Sequence, residues 1–229
     1  MHSIQYQNAA SLASERSEFI RKVYMNLALG FAGFIALEAF LVTWQPAVDL
    51  AQRMVSGNNW LIVLLAFMGV SWLANSWAIT GATLGKQYAG FALYIIAEAI
   101  IFLPLIIFAN SFAPDTIPQA GIITAALTAG ISAYAFFSKK DFSFMGSFLT
   151  IASFVALGII ACAVLFGIQL GLWFSAAMIV FAGLVILYQT SVMIRRYRND
   201  QYVAAALGLF AAIALMFWYI LQFLISSRR

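Results

Sequence analysis

Apolar residues arrive in seven long runs along this chain, and nearly every charge falls in the gaps between them. A helix needs about 20 apolar residues to cross roughly 30 Å of hydrocarbon. The runs predict spans at 24–44, 59–79, 88–109, 116–137, 143–166, 170–192 and 202–225. Backbone groups in lipid find no water to bond, so these spans are helices rather than an open sheet. The expected fold class is an all-α membrane protein. Its parts are a tail over 1–23, a seven-helix domain over 24–225 and a short end over 226–229.

The breaks carry helix-ending or turn chemistry: Gln45-Pro46, Ser56-Gly57-Asn58-Asn59, Gly81 to Gly85, Pro114-Asp115, Lys139-Lys140-Asp141, Gly167 to Gly171 and Arg195 to Asp200. The break at 167–171 has no charge, and the topology turns on it. Without it, one very long helix would replace two spans. The tail stretch from Ser11 to Val23 mixes Leu12, Phe19, Ile20 and Val23 with five charges. It reads either as a short helix lying on the headgroups or as an extension of the first span. The first apolar run follows a polar stretch and is long enough to span, so no cleavable signal peptide is expected.

Charge placement sets the orientation. Nine Lys and Arg fall on one side of a seven-span chain: Arg16, Arg21, Lys22, Lys86, Lys139, Lys140, Arg195, Arg196 and Arg198. Three fall on the other: Arg53, Arg228 and Arg229. The positive-inside rule then puts the N-terminus in the cytoplasm and the C-terminus opposite. Trp44, Trp60, Trp77 and Trp173 sit near span ends, as interfacial aromatics do. The chain is 64% hydrophobic and 9% charged, which leaves no room for a soluble domain. The net charge of +4 fits topology and anionic headgroups rather than nucleic acid. Short loops favour a bacterial inner membrane. Cys162 is the only cysteine, which rules out an intrachain disulfide.

Against this background, a charge inside a span is conspicuous. All four aspartates lie in breaks, whereas Glu38 and Glu98 lie within the first and third spans. A carboxylate in hydrocarbon costs at least about 2.5–3.5 kcal/mol, so such a group faces the bundle interior or a wet cavity. No basic residue lies at matching depth. One reading is a neutral, proton-exchanging carboxyl in a shared polar cavity. The other is an interhelical hydrogen bond worth about 0.6 kcal/mol. Pro104 interrupts the third helix and frees a carbonyl near Ile100, a further polar group for such a cavity. Asn75 and Gln189, near the same ends of their spans, are candidates to line a cytoplasmic vestibule. Asn26, Ser76, Tyr94, Ser132, Tyr134, Tyr188 and Thr190 read as helix glue or interface residues. Ala204, Gly208 and Ala212 form a small-residue stripe that lets a neighbour approach. One internal echo is visible: Gly30-Phe31-Ala32 precedes Glu38 by the spacing that separates Gly90-Phe91-Ala92 from Glu98. It does not extend through the later spans.

Several chemistries are missing. The one histidine, His2, is in the tail, so the bundle has no histidine triad and no multi-histidine metal site. No span holds an aspartate pair for proteolysis or a lysine for a retinal Schiff base. No phosphate-binding loop occurs. An enzyme is not expected, nor a cofactor or a bound metal.

Phe19-Ile20-Arg21-Lys22-Val23-Tyr24, Glu98 followed by Pro104, Ser138 to Gly146, and Ile186-Leu187-Tyr188-Gln189-Thr190-Ser191 occur in an order and spacing that resemble the transmembrane Bax inhibitor motif family. The likeness is greatest to its bacterial YccA branch. The resemblance implies six helices around a central one. It also implies one of two roles: a calcium and proton leak, or restraint of a membrane protease of the FtsH type through the cytoplasmic tail. Leak-type members carry an aspartate pair in spans six and seven as a pH gate. The matching positions here are Gln189 and Ala212, neither of which titrates. Conduction would then depend on Glu98 or Glu38. The Lys139-Lys140-Asp141 turn is expected to be structural, with Asp141 or Ser143 capping the fifth span. The Arg195, Arg196 and Arg198 cluster is expected to face lipid or fix topology, with an exposed Arg198–Asp200 pair.

Overall fold

A computed structural model describes residues 2–80, 83–138 and 140–228, with side chains from Ser14 onward. Gly81, Lys139 and Arg229, and the side chains of His2 and Leu12, lie outside the described residues. The chain forms α1 (His2–Leu41), α2 (Gln45–Met54), α3 (Asn59–Thr80), α4 (Leu84–Phe112), α5 (Thr116–Phe137), α6 (Gly146–Phe166), α7 (Leu172–Arg195) and α8 (Tyr202–Ser227). A single 3₁₀ turn, Ser143–Met145, leads into α6. All but α2 are long and apolar enough to cross a membrane. The uncharged break holds: Gly167 ends α6 in the left-handed conformation, at φ 66°, where a side chain would be strained.

Consecutive spans alternate in direction, which the contacts between them show. Gly30 of α1 meets Phe91 and Ile95 of α4, while Phe34 meets Phe102, so α1 and α4 run the same way. Lys22 lies over Tyr202 and Phe31 beside Phe210, so α8 runs with them. Gln189 faces Gly208 and Gly183 faces Met216, so α7 runs against α8. Arg16 and Arg228 consequently lie at opposite ends of the bundle. Of the described Lys and Arg, only Arg53 and Arg228 sit at the end away from the tail.

The centre is α8. Val203 to Leu207 and most positions out to Leu221 are buried, many of them alanines that let neighbours close in. α1, α3, α4, α5 and α7 pack directly on it. α6 is joined chiefly through α7, with Ala156 reaching a small cluster around Met178 and Tyr219.

The tail takes the second of its two readings, an extension of the first span: α1 is continuous from His2 to Leu41, about 60 Å of helix, twice the hydrocarbon thickness. Phe19 and Val23 are buried against the bundle, while Glu15, Glu18 and Arg21 remain exposed. Charge on one face and apolar side chains on the other let the same helix continue past the span. The break after Trp44 holds a short helix. Pro46 stands at the start of α2, where its missing N–H costs nothing. Ala47, Ala51 and Met54 bury one face of α2 against α1, α3 and α4.

Candidate functional site

The inner face of α4 is a stripe at helical spacing: Phe91, Tyr94, Glu98 and Phe102, all buried. Phe91 and Tyr94 stand edge-on to Phe210 of α8, with centroids 5.8 and 6.1 Å away. Phe102 stacks on Phe217 at 5.9 Å and meets Trp218 edge-on at 4.9 Å. Glu98 therefore lies between two aromatic layers that close on the central helix.

α1 presents a matching stripe: Phe31, Phe34, Glu38 and Leu41. Phe31 lies 4.6 Å from Phe210. Phe34 touches both layers, at 6.0 Å from Phe210 and 5.3 Å from Phe102. Glu38, one turn beyond Phe34, stands about 6 Å further from the tail end. The internal echo thus has a structural counterpart. Gly30 and Gly90 are both close-approach points, Phe31 and Phe91 both touch Phe210, and Glu38 and Glu98 are both buried, at 6% and 5% exposure.

Neither carboxyl is fully partnered. Both Glu38 oxygens and Oε2 of Glu98 are buried without a hydrogen-bond partner among the described residues. Tyr94, one turn earlier on α4, is the polar neighbour of Glu98. A carboxylate stripped of water and partners cannot keep its charge cheaply, so the neutral acid is the form that fits this packing. The clearest cavities lie elsewhere. One, of about 370 Å³, is apolar and lined by Ile159, Cys162 and Leu170 among others. The other, of about 180 Å³, is at the tail beside Glu18 and Lys22. Pro104 sits inside an α4 that continues to Phe112. Ile100 lies two residues after Glu98, about 200° around the helix, and its side chain is exposed. The residue whose carbonyl Pro104 leaves without its helical donor thus presents its side chain on a different face from Glu98.

The remaining candidates occupy the tail end. Gln189 lies over Gly208, where an added Cβ would come within 2.9 Å of its Oε1. The small-residue stripe there admits a side chain of α7 rather than a helix backbone. Ala204 and Ala212 are buried beside it. Ser132 and Thr190 are buried with their hydroxyls 3.5 Å apart, and Asn26 donates to the Lys22 carbonyl at 2.8 Å. Asn75 is exposed on the outer face of α3 and does not join them.

The loop before α6 is tied to the end of α7. The Ser143 N–H donates to Asp141 Oδ1 at 2.9 Å, the Phe142 N–H to Ser191 Oγ at 3.0 Å, and Ser191 Oγ to Asp141 Oδ1 at 3.3 Å. Hydrogen bonding from Ser143 holds the Asp141 carboxyl below its usual range. Arg195 is exposed and reaches back to the loop. It donates to the carbonyls of Lys140 at 3.1 Å and Ser138 at 3.3 Å. Arg198 pairs with Asp200 in the open, as expected.

Two residues escaped the sequence reading. Phe210 is the ring on which Phe31, Phe34, Phe91 and Tyr94 converge, and nothing in an apolar run marks it out. Arg16 donates to the carbonyls of Met193, Ile194 and Tyr197 and to Asn199 Oδ1. The carbonyls of Met193 and Ile194 are ones that the last turn of α7 leaves free. Arg16 shares a helix face with Phe19 and Val23 at i, i+3 and i+7, and that spacing was the available signal.

Comparison with known proteins bears on this arrangement. The profile of the family described as Inhibitor of apoptosis-promoting Bax1 matches residues 16–229. An uncharacterised protein of Pseudomonas aeruginosa is 29% identical, over 97% of this chain and 96% of its own length. The Golgi anti-apoptotic protein of Vaccinia virus (strain Lister) is 28% identical over 93% of this chain and 87% of its own. Protein lifeguard 4 of Mus musculus is 27% identical over 91% and 85%.

Proposed function

The chain belongs to the Bax inhibitor family, and from that premise we propose that it is a normally closed leak pathway for small cations, with Glu98 as its ionisable group. The observation that carries this reading is the pair of buried, incompletely partnered carboxyls on two parallel helices that both pack on α8. A bundle held only by packing has no use for an unpaired acid in its centre. The aromatic layers around Phe210 and Phe102 account for the closed state. Gln189 and Ala212 stand where leak-type members carry their aspartates, so gating here does not run through an aspartate pair. Short loops favour the bacterial inner membrane as the setting, and the charge bias supports a tail in the cytoplasm.

The test is cation flux through the full-length protein in liposomes at neutral and acidic pH, wild type against Glu98→Gln. Flux that vanishes in the variant is expected. Equal flux in both would remove Glu98 from the path.

A second reading has its own support. α1 runs on unbroken beyond its docked residues Arg16 and Phe19, which offers a helix for a membrane protease to grip. Because Arg16 belongs to the folded bundle, the deletion that tests this should stop at residue 13. Crosslinking to the partner should then be lost with the bundle intact. A truncated protein that still captures the partner would sink this reading.

A further inference from the structure

We infer that α3 is a dimerisation helix: its outer face packs on α3 of a second copy of this chain about a two-fold axis, and the Asn75 side chains of the two copies hydrogen-bond each other. This holds whichever of the roles above the chain performs. Asn75 is an amide on a membrane span, and its side chain is exposed. Asn59–Thr80 has 22 residues, about 33 Å of helix, so its ends lie close to the edges of a hydrocarbon layer about 30 Å thick. Asn75 stands about 7.5 Å along the helix before Thr80, below that edge.

Among the described residues, no hydrogen bond fixes the Asn75 amide. Other exposed polar side chains on the spans turn back to their own helix. Thr80 Oγ1 donates to the Ser76 carbonyl at 2.6 Å, Ser111 Oγ to the Ile107 carbonyl at 2.9 Å and Thr150 Oγ1 to the Gly146 carbonyl at 2.9 Å. An amide facing acyl chains finds neither donor nor acceptor there, whereas one on a neighbouring helix supplies both. Contact with lipid alone would be served better by leucine.

The residues around Asn75 form a seam. Leu65, Met68, Trp72, Asn75 and Ile79 recur at i, i+3, i+7, i+10 and i+14, the heptad spacing of a left-handed helix pair, and all five are exposed. The inward side of α3 is already used, with Ala74 and Ala78 buried against Gly90 of α4. Copies of one chain share an orientation in the membrane, so their α3 helices run parallel, as heptad pairing in register requires. A two-fold axis then sets position 75 opposite itself. An amide both donates and accepts, so the two Asn75 side chains satisfy each other reciprocally. A single Asn in such a seam also fixes the register. A different membrane protein would have to bring a matching seam and amide, and a second copy carries both.

The experiment uses full-length protein in liposomes, with one cysteine at a time placed in a Cys162→Ala background. Met68→Cys lies on the seam, and Ala66→Cys is also exposed but turned about 160° away. Oxidation should crosslink Met68→Cys to a dimer in good yield and Ala66→Cys only weakly. Energy transfer between labelled copies, followed on dilution into lipid, gives the dimer dissociation constant. Asn75→Leu should raise that constant about three- to tenfold, and Asn75→Gln should largely preserve it. Equal crosslinking at the two positions would overturn the inference, as would a dimer unmoved by Asn75→Leu. Absence of energy transfer at every dilution would overturn it too. In cell membranes, capture of Met68→Cys by another protein instead of its own copy would make α3 a docking helix for that protein and end the self-pairing. The two cysteine positions keep Asn75 in place, so they test the face even should the Leu variant fail to fold.

Discussion

The guanidinium of Arg16 donates to the carbonyl of Ile194 at 2.8 Å, across 178 positions of chain. One cation thereby closes the end of α7 and fixes α1 to it, with the Phe19 ring stacked beneath at 4.3 Å. Hydrogen bonds from a charged donor contribute about 1.5–3 kcal/mol each at most, and this site is part-exposed. Arg16→Ala should therefore lower stability by about 1–2 kcal/mol. Hydrogen exchange should rise selectively at the last turn of α7. Unchanged exchange at residues 192–197 would show that the contact holds nothing in place.

Gly90 and Gly208 predict a contrast. A Cβ at Gly90 would meet the Ala74 carbonyl oxygen at 2.5 Å and the Ala78 nitrogen at 3.0 Å, both backbone. At Gly208 it would meet only the mobile end of Gln189. Gly90→Ala must push α3 from α4 and should cost about 1–3 kcal/mol. Gly208→Ala should cost less, because a side chain can rotate away. Thermal unfolding in detergent ranks the two, and a larger loss for Gly208→Ala would contradict the packing described.

The turn at Asp141 predicts a pH effect. Hydrogen bonding from Ser143 lowers the folded-state pKa of Asp141. A lowered carboxyl contributes stability that is full above its unfolded value and is lost as pH falls through the folded one. The loop should therefore loosen only in acid, below the ordinary carboxylate range. Asp141→Ala should abolish that acid-dependent part, whereas Asp141→Asn keeps an acceptor for the Ser143 N–H. Limited proteolysis of the loop across pH distinguishes them.

Phe210 predicts a gain of flux. Removing the ring leaves Phe31, Phe34, Phe91 and Tyr94 without their common neighbour. Phe210→Ala should destabilise by about 3–5 kcal/mol and raise leak in the liposome assay. Phe210→Leu should fold better and leak less than the alanine variant. A tight Phe210→Ala protein would mean that the seal lies elsewhere.

The seven spans were legible because hydrocarbon imposes length and composition on whatever crosses it. The spans at 116–137 and 143–166 agree with the structure to the residue. Glu38 and Glu98 were legible for the same reason, since an acid within an apolar run has only the interior to face. α2 was not. Ala47, Ala51 and Met54 do recur at i, i+4 and i+7, but over only ten residues, and its proline reads as a break unless the helix is already known to begin there. The backbone partners of Arg16 and Arg195 were not legible, because a cation can satisfy backbone carbonyls as well as lipid phosphates. Sequence order says nothing of which helix end lies within reach. Asn75 was read as lining a vestibule, whereas its side chain is exposed on α3.

The helix that fills the bundle is also the last of the seven to leave the ribosome. α1, α3, α4, α5 and α7 must enter the membrane before the partner that their inner faces are shaped to meet. During that interval Glu38 and Glu98 lack the Phe210 and Phe217 layers that later enclose them. Assembly is therefore committed late, when Tyr202–Ser227 inserts, and a ribosome that stops short of it leaves two acids in an unclosed ring. Quality control in the membrane would need to recognise nothing more than that.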